Sequence, residues 1–271
     1  MLQNITANVS MELTHSLAGF LVGMLVGFTG VGGGALMTPV LIFLLGVAPH
    51  TAVGTDLLFA SLTKGAGGWV YGARGSIDWL VLRRLSLGSL PAAAITLLLI
   101  KDIEAGKGFE TVLLQSLGWM LAVTGVTMIF RSRLHHIGQW RRTVAPERFK
   151  QVQPALTVAA GALLGVLVTL TSVGAGALGA VILLYLYPYR LTPKKLVGTD
   201  IAHAIPLTLV AGLGHLTLGN IDFALLGSLL MGSIPGVLLG SRLGVSINGR
   251  CLQNAIAAIL MFVGVRLVLN G

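Results

Sequence analysis

A chain of 271 residues in which 55% are hydrophobic and only 10% are charged lacks the surface of a water-soluble protein, where roughly a quarter of residues are charged. Its mean hydropathy is +0.89, and its hydrophobic runs are long enough to cross a hydrocarbon core of ~30 Å. The composition predicts an all-α polytopic membrane protein. The net charge of +9 does not indicate nucleic acid binding, because the basic residues are spread over several short loops.

About ten hydrophobic segments follow one another along the chain. They cover 13–29, 35–47, 52–73, 79–100, 112–130, 154–172, 177–188, 197–217, 222–242 and 251–269. The second and the seventh are short, which predicts half-spans or strongly bent helices. We therefore expect a first transmembrane repeat over 1–130, a basic cytoplasmic linker over 131–153 and a second transmembrane repeat over 154–271.

The two groups of five segments are similar in sequence. "GFLVGMLVGFTGVGGGAL" at 19–36 aligns with "GALLGVLVTLTSVGAGAL" at 161–178, and "VGTD" occurs at both 53–56 and 197–200. Because five is an odd number, the second repeat must be inverted relative to the first. This is the plan of many secondary transporters, which bind substrate near the membrane midplane between the repeats.

The basic residues predict the orientation of the chain in the membrane. Most of the 18 Lys and Arg residues fall in loops that share one side if the N-terminus is outside. By the positive-inside rule, both termini are then predicted to be extracytoplasmic.

Each repeat carries a glycine-rich turn between its first two segments. The first turn contains Gly30, Gly32, Gly33 and Gly34, and the second contains Gly174 and Gly176. Such a turn breaks a helix at membrane depth, and the restarted helix presents free N–H groups that favour an anion. Two facing turns would form an anion site at the repeat interface, with hydroxyls from Thr29, Thr171 and Ser172. The alternative is that these glycines only permit close helix crossing. A nucleotide loop is excluded, because no GK[ST] motif follows.

Ionisable residues inside membrane segments are costly and are therefore candidates for function. Lys64 could supply the positive charge that holds an anion; alternatively it pairs with Asp56 or extends to the membrane interface. Asp56 and Asp200 occupy equivalent positions of the two repeats and could bind a coupling proton or cation, or could cap helices. His203 follows Asp200 by one turn, which suggests either a proton relay or a structural hydrogen bond to Asp200.

Several further polar residues are assigned simpler roles. Asp78 and Asp222 are expected to cap helices, and His215 is expected to lie at the membrane interface. Thr55 and Thr199 could line the anion pocket. The single cysteine and the lack of a zinc-ligand cluster or catalytic constellation predict no metal, no cofactor and no enzymatic activity.

The stretch "GFTGVGGGALMTPVLIFLLGVAPHTAVGTDLL" at 27–58 resembles the signature of the TauE/SafE sulfite exporter family, with its G-x-G-G-G turn, following proline and A-x-G-T stretch. The second copy departs from this pattern, because Ser172, Ala175 and Val181 stand opposite Gly30, Gly33 and Pro39. The resemblance implies export of sulfite or an organosulfonate across the bacterial inner membrane.

The predicted function is thus that of a secondary transporter that moves a small inorganic or organic sulfur anion by alternating access, with proton coupling as a hypothesis. The alternatives are an uncoupled anion channel and an importer of another small anion. The expected partners are the transported anion and the lipid bilayer, and a homodimer is left open.

Overall fold

The computed structural model describes residues 2–29, 34–73, 75–103, 108–144, 146–243 and 249–270, and these are helical with short connections. The helices are α1 Leu2–Thr29, α2 Gly34–Phe43, α3 Pro49–Ala73, α4 Trp79–Ile103, α5 Phe109–Ile129, α6 Arg131–Val144, α7 Pro146–Thr171, α8 Ala177–Leu186, α9 Pro193–Thr217, α10 Phe223–Leu243 and α11 Gly249–Asn270. Each predicted hydrophobic segment overlaps one of these helices. The predicted linker contains α6 and the first turns of α7.

Among the described residues, six helices are long and apolar enough to cross a membrane, which confirms a multi-pass membrane protein. The qualifying stretches are 11–28, 79–102, 110–129, 149–171, 193–217 and 223–240. Helices α2 and α8 have only 10 residues each. At about 1.5 Å per residue they span ~15 Å, or about half of the hydrocarbon core. The short lengths predicted for the second and seventh segments are confirmed.

Two pairs of helices run parallel and are packed at glycines. A Cβ atom on Gly161 of α7 would overlap the carbonyl oxygen of Leu85 in α4, and one on Gly19 of α1 would overlap that of Leu229 in α10. Glycine at these positions lets the backbones approach closely, as small residues commonly do between membrane helices. Each pair joins a helix from the first half of the chain to one from the second half.

Helices α3 and α9 form an antiparallel pair whose facing residues are buried. Gly54 of α3 lies against His215 of α9, whereas Gly212 lies against Leu58, so the two helices run in opposite directions. Helix α9 is buried along the face that includes Thr199, Asp200, His203 and Thr208. The polar residues predicted to be functional therefore lie inside the protein, where a charged group needs a partner.

Helix α6 packs across the short helix α8. Gly138 of α6 is buried against the carbonyl group of Tyr185, and His135 Nε2 lies 3.3 Å from the carbonyl oxygen of Pro188. The ring of Phe149, in α7, packs edge-on against Tyr185. The half-length helix α8 is thereby covered by the chain itself over one face.

Candidate functional site

The second glycine turn forms a sharp break between α7 and α8. Helix α7 ends at Thr171 and α8 begins at Ala177. Between them Ser172, Gly174 and Gly176 have φ values of 57°, 113° and 141°. A serine with positive φ is strained, and such strain concentrates at functional sites. The predicted break at this turn is present.

The first glycine turn can be located only by its flanking helices. Helix α1 ends at Thr29 and α2 begins at Gly34. The site candidates Gly30, Gly32 and Gly33 lie outside the described residues. Their proposed role, and the side-chain contribution of Thr29, therefore stay predictions.

The start of α8 offers backbone N–H groups at the second turn. The N–H groups of Gly179 and Ala180 donate to the carbonyl oxygens of Gly174 and Gly176. Those of Ala177 and Leu178 have no backbone acceptor in the described part of the chain. Free N–H groups and the positive end of the helix dipole favour negative charge here.

The side chain of Lys64 extends from α3 to the second glycine turn. Its side chain is buried, and Nζ donates to the carbonyl oxygen of Ala175 at 2.5 Å. Its charge acts on both Asp56 and Asp200, although neither carboxylate forms an ion pair with it within 4 Å in the structure. The alternatives of direct pairing with Asp56 and of extension to the interface are therefore wrong, because the ammonium group is held by a backbone carbonyl in the interior.

Asp56 is completely buried and joins three elements. Thr38 Oγ1 of α2 donates to Asp56 Oδ2 at 2.5 Å. The hydroxyl of Ser172 lies near the same carboxylate, but Asp56 Oδ1 and Ser172 Oγ both lack a hydrogen-bond partner among the described residues. Unsatisfied buried polar atoms are rare and require an explanation. A ligand or proton that is bound for part of a transport cycle would provide one.

Asp200 lies beside the start of α8. A Cβ atom on Gly179 would come within 2.5 Å of Asp200 Oδ1, so the carboxylate is close to the helix end that was predicted to receive an anion. Its charge interacts with that of Lys64. The protein thus holds a carboxyl group of its own at this position.

His203 has a different partner from the one expected. Its Nε2 lies 2.8 Å from Ser89 Oγ of α4, and no hydrogen bond to Asp200 occurs among the described residues. His215 is completely buried, and its Nε2 contacts the carbonyl oxygen of Thr169 at 3.0 Å. The structural bond predicted between His203 and Asp200 is wrong, whereas the interfacial position of His215 stays a prediction, because burial inside the protein does not fix its depth in the membrane.

The capping role considered for Asp56 and Asp200 is also wrong. Helices α3 and α9 begin at Pro49 and Pro193, so both carboxylates lie two turns inside their helices. Thr192 caps α9 instead, through a side-chain oxygen that accepts from the Lys195 N–H. Threonine followed by proline is a common helix start, and the sequence carries this signal at Thr192 and Pro193.

Asp78 and Asp222 cap α4 and α10, as predicted. Asp78 Oδ1 accepts from the Val81 N–H at 3.2 Å, and Asp222 Oδ1 accepts from the Leu225 N–H at 3.0 Å. Thr199 and Thr55, considered as pocket hydroxyls, instead accept from the N–H groups of Asp78 and Asp222 at 2.9 and 3.1 Å. These threonines connect the two halves of the chain.

Among the described residues, only the Asp78 cap carries an ion pair. Arg190 Nε donates to Asp78 Oδ2 at 2.6 Å, and Arg190 Nη2 donates to Oδ1 at 3.0 Å. Burial raises the pKa of the Asp78 carboxyl, but the hydrogen bonds from Arg190 and from the N–H groups of Val81 and Leu80, together with the charge of Arg190, hold that pKa below its ordinary value. The pair fastens the loop before α9 to the start of α4.

The structure therefore brings together Lys64, Asp56, Asp200 and the second glycine turn, with Ser172 among them. Thr171 is adjacent, but its hydroxyl is engaged locally, because Oγ1 donates to the carbonyl oxygen of Leu167 at 2.6 Å. No group of His, Cys, Asp and Glu side chains that could bind a metal ion occurs among the described residues. The arrangement can place an ammonium group and N–H groups around a small anion, with two carboxylates to exchange protons.

Sequence comparison identifies the family of the chain. The model of the family "Sulfite exporter TauE/SafE" matches residues 16–267. The chain belongs to the TauE/SafE family. This TauE/SafE protein is similar to three proteins of Bacillus subtilis (strain 168). "Probable membrane transporter protein YjnA" is 38% identical over 264 residues, which cover 95% of this chain and 100% of that protein.

The other two relatives are more distant or shorter matches. "Probable membrane transporter protein YdhB" is 26% identical over 212 residues, or 76% of this chain and 80% of that protein. "Probable membrane transporter protein YunE" is 34% identical over 70 residues, or 26% of each. No solved structure matches this TauE/SafE chain. The resemblance seen in the glycine-rich signature is confirmed, and the chain is a member of a membrane transporter family.

Proposed function

We propose that this protein is a secondary transporter that moves a small sulfur oxyanion, sulfite or an organosulfonate, by alternating access. The observation that carries the proposal is the buried Lys64 ammonium group at the second glycine turn. Intramembrane charges are retained where they serve transport. Membership of the sulfite exporter family supports this class of substrate. We also propose that the protein exports its substrate, lies in the inner membrane and has both termini on the extracytoplasmic side. We propose further that it is not an enzyme.

The transport site that we propose lies at the second glycine turn. Its proposed ligands are Lys64, Ser172 and the N–H groups at the start of α8, with Gly174 and Gly176 giving the backbone its shape. The first turn, from Thr29 to Gly34, is proposed to approach the anion from the opposite side, and the Thr38 contact to Asp56 supports the entry of α2 into this site.

The architecture that we propose is ten membrane segments in two inverted repeats. Equivalent contacts in the two halves support it. Gly19 packs on Leu229 as Gly161 packs on Leu85, and the Thr55 bond to Asp222 has its counterpart in the Thr199 bond to Asp78. The antiparallel course of α3 and α9 is the relation expected from a twofold axis in the membrane plane.

Charge balance supports coupling to protons. With both carboxylates ionised, Lys64, Asp56 and Asp200 carry a net charge of about −1, which opposes anion binding in a medium of low dielectric constant. Protonation of Asp200 would remove the negative group beside the start of α8. Anion affinity should therefore rise as the pH falls. Co-transport with protons favours uptake where the proton gradient points inward, so proton symport and export are alternatives within this proposal, and the sign of the coupling decides between them.

The experiment is flux of radiolabelled sulfite in proteoliposomes, with and without a pH gradient, for the wild type and Asp200→Asn. We expect the wild type to respond to the gradient and Asp200→Asn, which mimics the protonated carboxyl, to respond much less. Flux that is indifferent to both would refute proton coupling. A thermal-shift screen of sulfite, thiosulfate, sulfate, taurine and sulfoacetate identifies the substrate, because a ligand that binds the folded state stabilises it.

A further inference from the structure

A groove runs between α2, α5 and α11 on the outer face of the protein, away from Lys64 and its neighbours. Its volume is about 640 Å³, and its lining includes Pro39, Phe43, Leu114, Phe262 and Val263. Every lining residue is apolar except Arg266. The rings of Phe43 and Phe262 are half or more exposed, so the groove opens to the surroundings of the protein, which are the bilayer at this depth.

The half-length helix α2 forms one wall of this groove. Ten residues cover only about half of the hydrocarbon core, so this short helix leaves a gap beside the longer helices next to it. The corresponding helix of the second half, α8, is covered by α6, whose Gly138 is buried against Tyr185. Among the described residues, no such helix covers α2.

Arg266 gives the groove a positive charge that no acidic residue neutralises among the described residues. It lies one turn before the end of α11 at Asn270. Arg266 makes no hydrogen bond or ion pair in the described part of the chain. Arginine binds phosphate oxygens in a bidentate manner and carries a permanent positive charge.

We propose that the groove binds one acyl chain of an anionic phospholipid, whose phosphate group is bound by Arg266. The acyl chain fills the apolar gap beside α2, and the headgroup lies at the end of α11. A second copy of the chain suits the groove less well, because its lining offers no acidic residue to pair with the two Arg266 side chains of a symmetric interface. The lipid supports α2 from outside, on the opposite side from the Thr38 contact to Asp56.

The test is native mass spectrometry of the purified protein in detergent micelles that contain phosphatidylglycerol, with phosphatidylethanolamine in a parallel series. We expect one retained phosphatidylglycerol per chain and weaker retention of phosphatidylethanolamine. Arg266→Gln should lower phosphatidylglycerol occupancy about fivefold, the effect of one basic residue at a membrane surface. Val263→Trp should lower it by filling the groove.

Two matched controls separate this site from general lipid contact. Lys101→Gln removes an exposed cation at the end of α4, and Leu98→Trp enlarges an exposed residue of the same helix; both should retain the lipid. Equal retention in the wild type, Arg266→Gln and Lys101→Gln would overturn the proposal and indicate annular lipid only. A lipid-free dimer that Val263→Trp converts to monomers would overturn it in favour of a second copy. Because Arg266 is exposed, Arg266→Gln should fold. This variant therefore tests the lipid site even if Val263→Trp fails to fold.

Discussion

Replacing Lys64 by methionine removes the buried positive charge and keeps a long, unbranched side chain. Lys64 is 8% exposed, so neither bulk water nor dissolved salt compensates for the lost charge at this depth. Removing one partner of a buried charge pair costs about 3–5 kcal/mol. The N–H groups at the start of α8 stay in place, so we take the lower value, about 3 kcal/mol, for the lost anion affinity. This corresponds to a roughly 150-fold rise in the dissociation constant.

The assay is calorimetric titration of sulfite into purified protein, with Lys101→Met as the matched control. Lys101 is an exposed lysine at the end of α4, and its replacement should leave the affinity unchanged. Lys64→Arg keeps the charge in a bulkier, planar group and should retain part of the binding. An affinity of Lys64→Met within about twofold of the wild type would refute the reasoning and remove Lys64 from the anion site.

Three further changes test the structure around the site by thermal unfolding. Ser172→Gly should stabilise the protein by about 1 kcal/mol, because it relieves a positive φ of 57°; an unchanged midpoint would show that the turn is not strained. Arg190→Gln should lower the midpoint at neutral pH and lose its effect on acidification. The Arg190 bonds hold the pKa of Asp78 below its ordinary value, so the stability they give is fully present above the unfolded pKa of about 3.9 and is lost as the pH falls through the lower folded value. A midpoint difference that persisted in acid would contradict this. Gly161→Ala should destabilise the protein by about 1–3 kcal/mol, because the added Cβ overlaps a backbone carbonyl. Gly227→Ala, with no atom within 4 Å of the added Cβ, is its control, and equal effects of the two would refute close packing as the cause.

The hydrophobic helices were predictable because each depends on a local run of apolar residues, whereas α6 is mostly polar and lies in the predicted linker. The lengths of the apolar runs predicted the long helices. The glycine-rich stretches predicted where the short helices begin, since α8 begins at Ala177 directly after its glycine turn. The start of α9 was predicted less accurately, because the cap at Thr192 lies in a polar loop outside the run of apolar residues.

The members of the candidate site were predictable, but their partners were not. Lys64, Asp56 and Asp200 are ionisable groups in apolar segments, which is a strong signal. The Ala175 carbonyl that binds Lys64 leaves no signal in a sequence, because every residue has a carbonyl group. Ser89, the partner of His203, is 114 residues away, so only the packing of α4 on α9 brings the two together.

Thr38 was overlooked although the sequence carried a signal for it. It is a hydroxyl residue directly before Pro39 in the otherwise apolar helix α2, and it binds Asp56. A polar residue in a short, buried segment deserves the same consideration as a charged one, because its hydroxyl must find a partner inside the protein.

The most direct test of the account is flux of radiolabelled sulfite into proteoliposomes that contain the wild type, Lys64→Met or no protein. We expect saturable flux in the wild type that exceeds that of empty liposomes, and flux near the empty level for Lys64→Met at the same protein density. Wild-type flux no greater than that of empty liposomes, for sulfite and for the sulfonates taurine and sulfoacetate, would contradict the proposal that this protein transports a sulfur oxyanion.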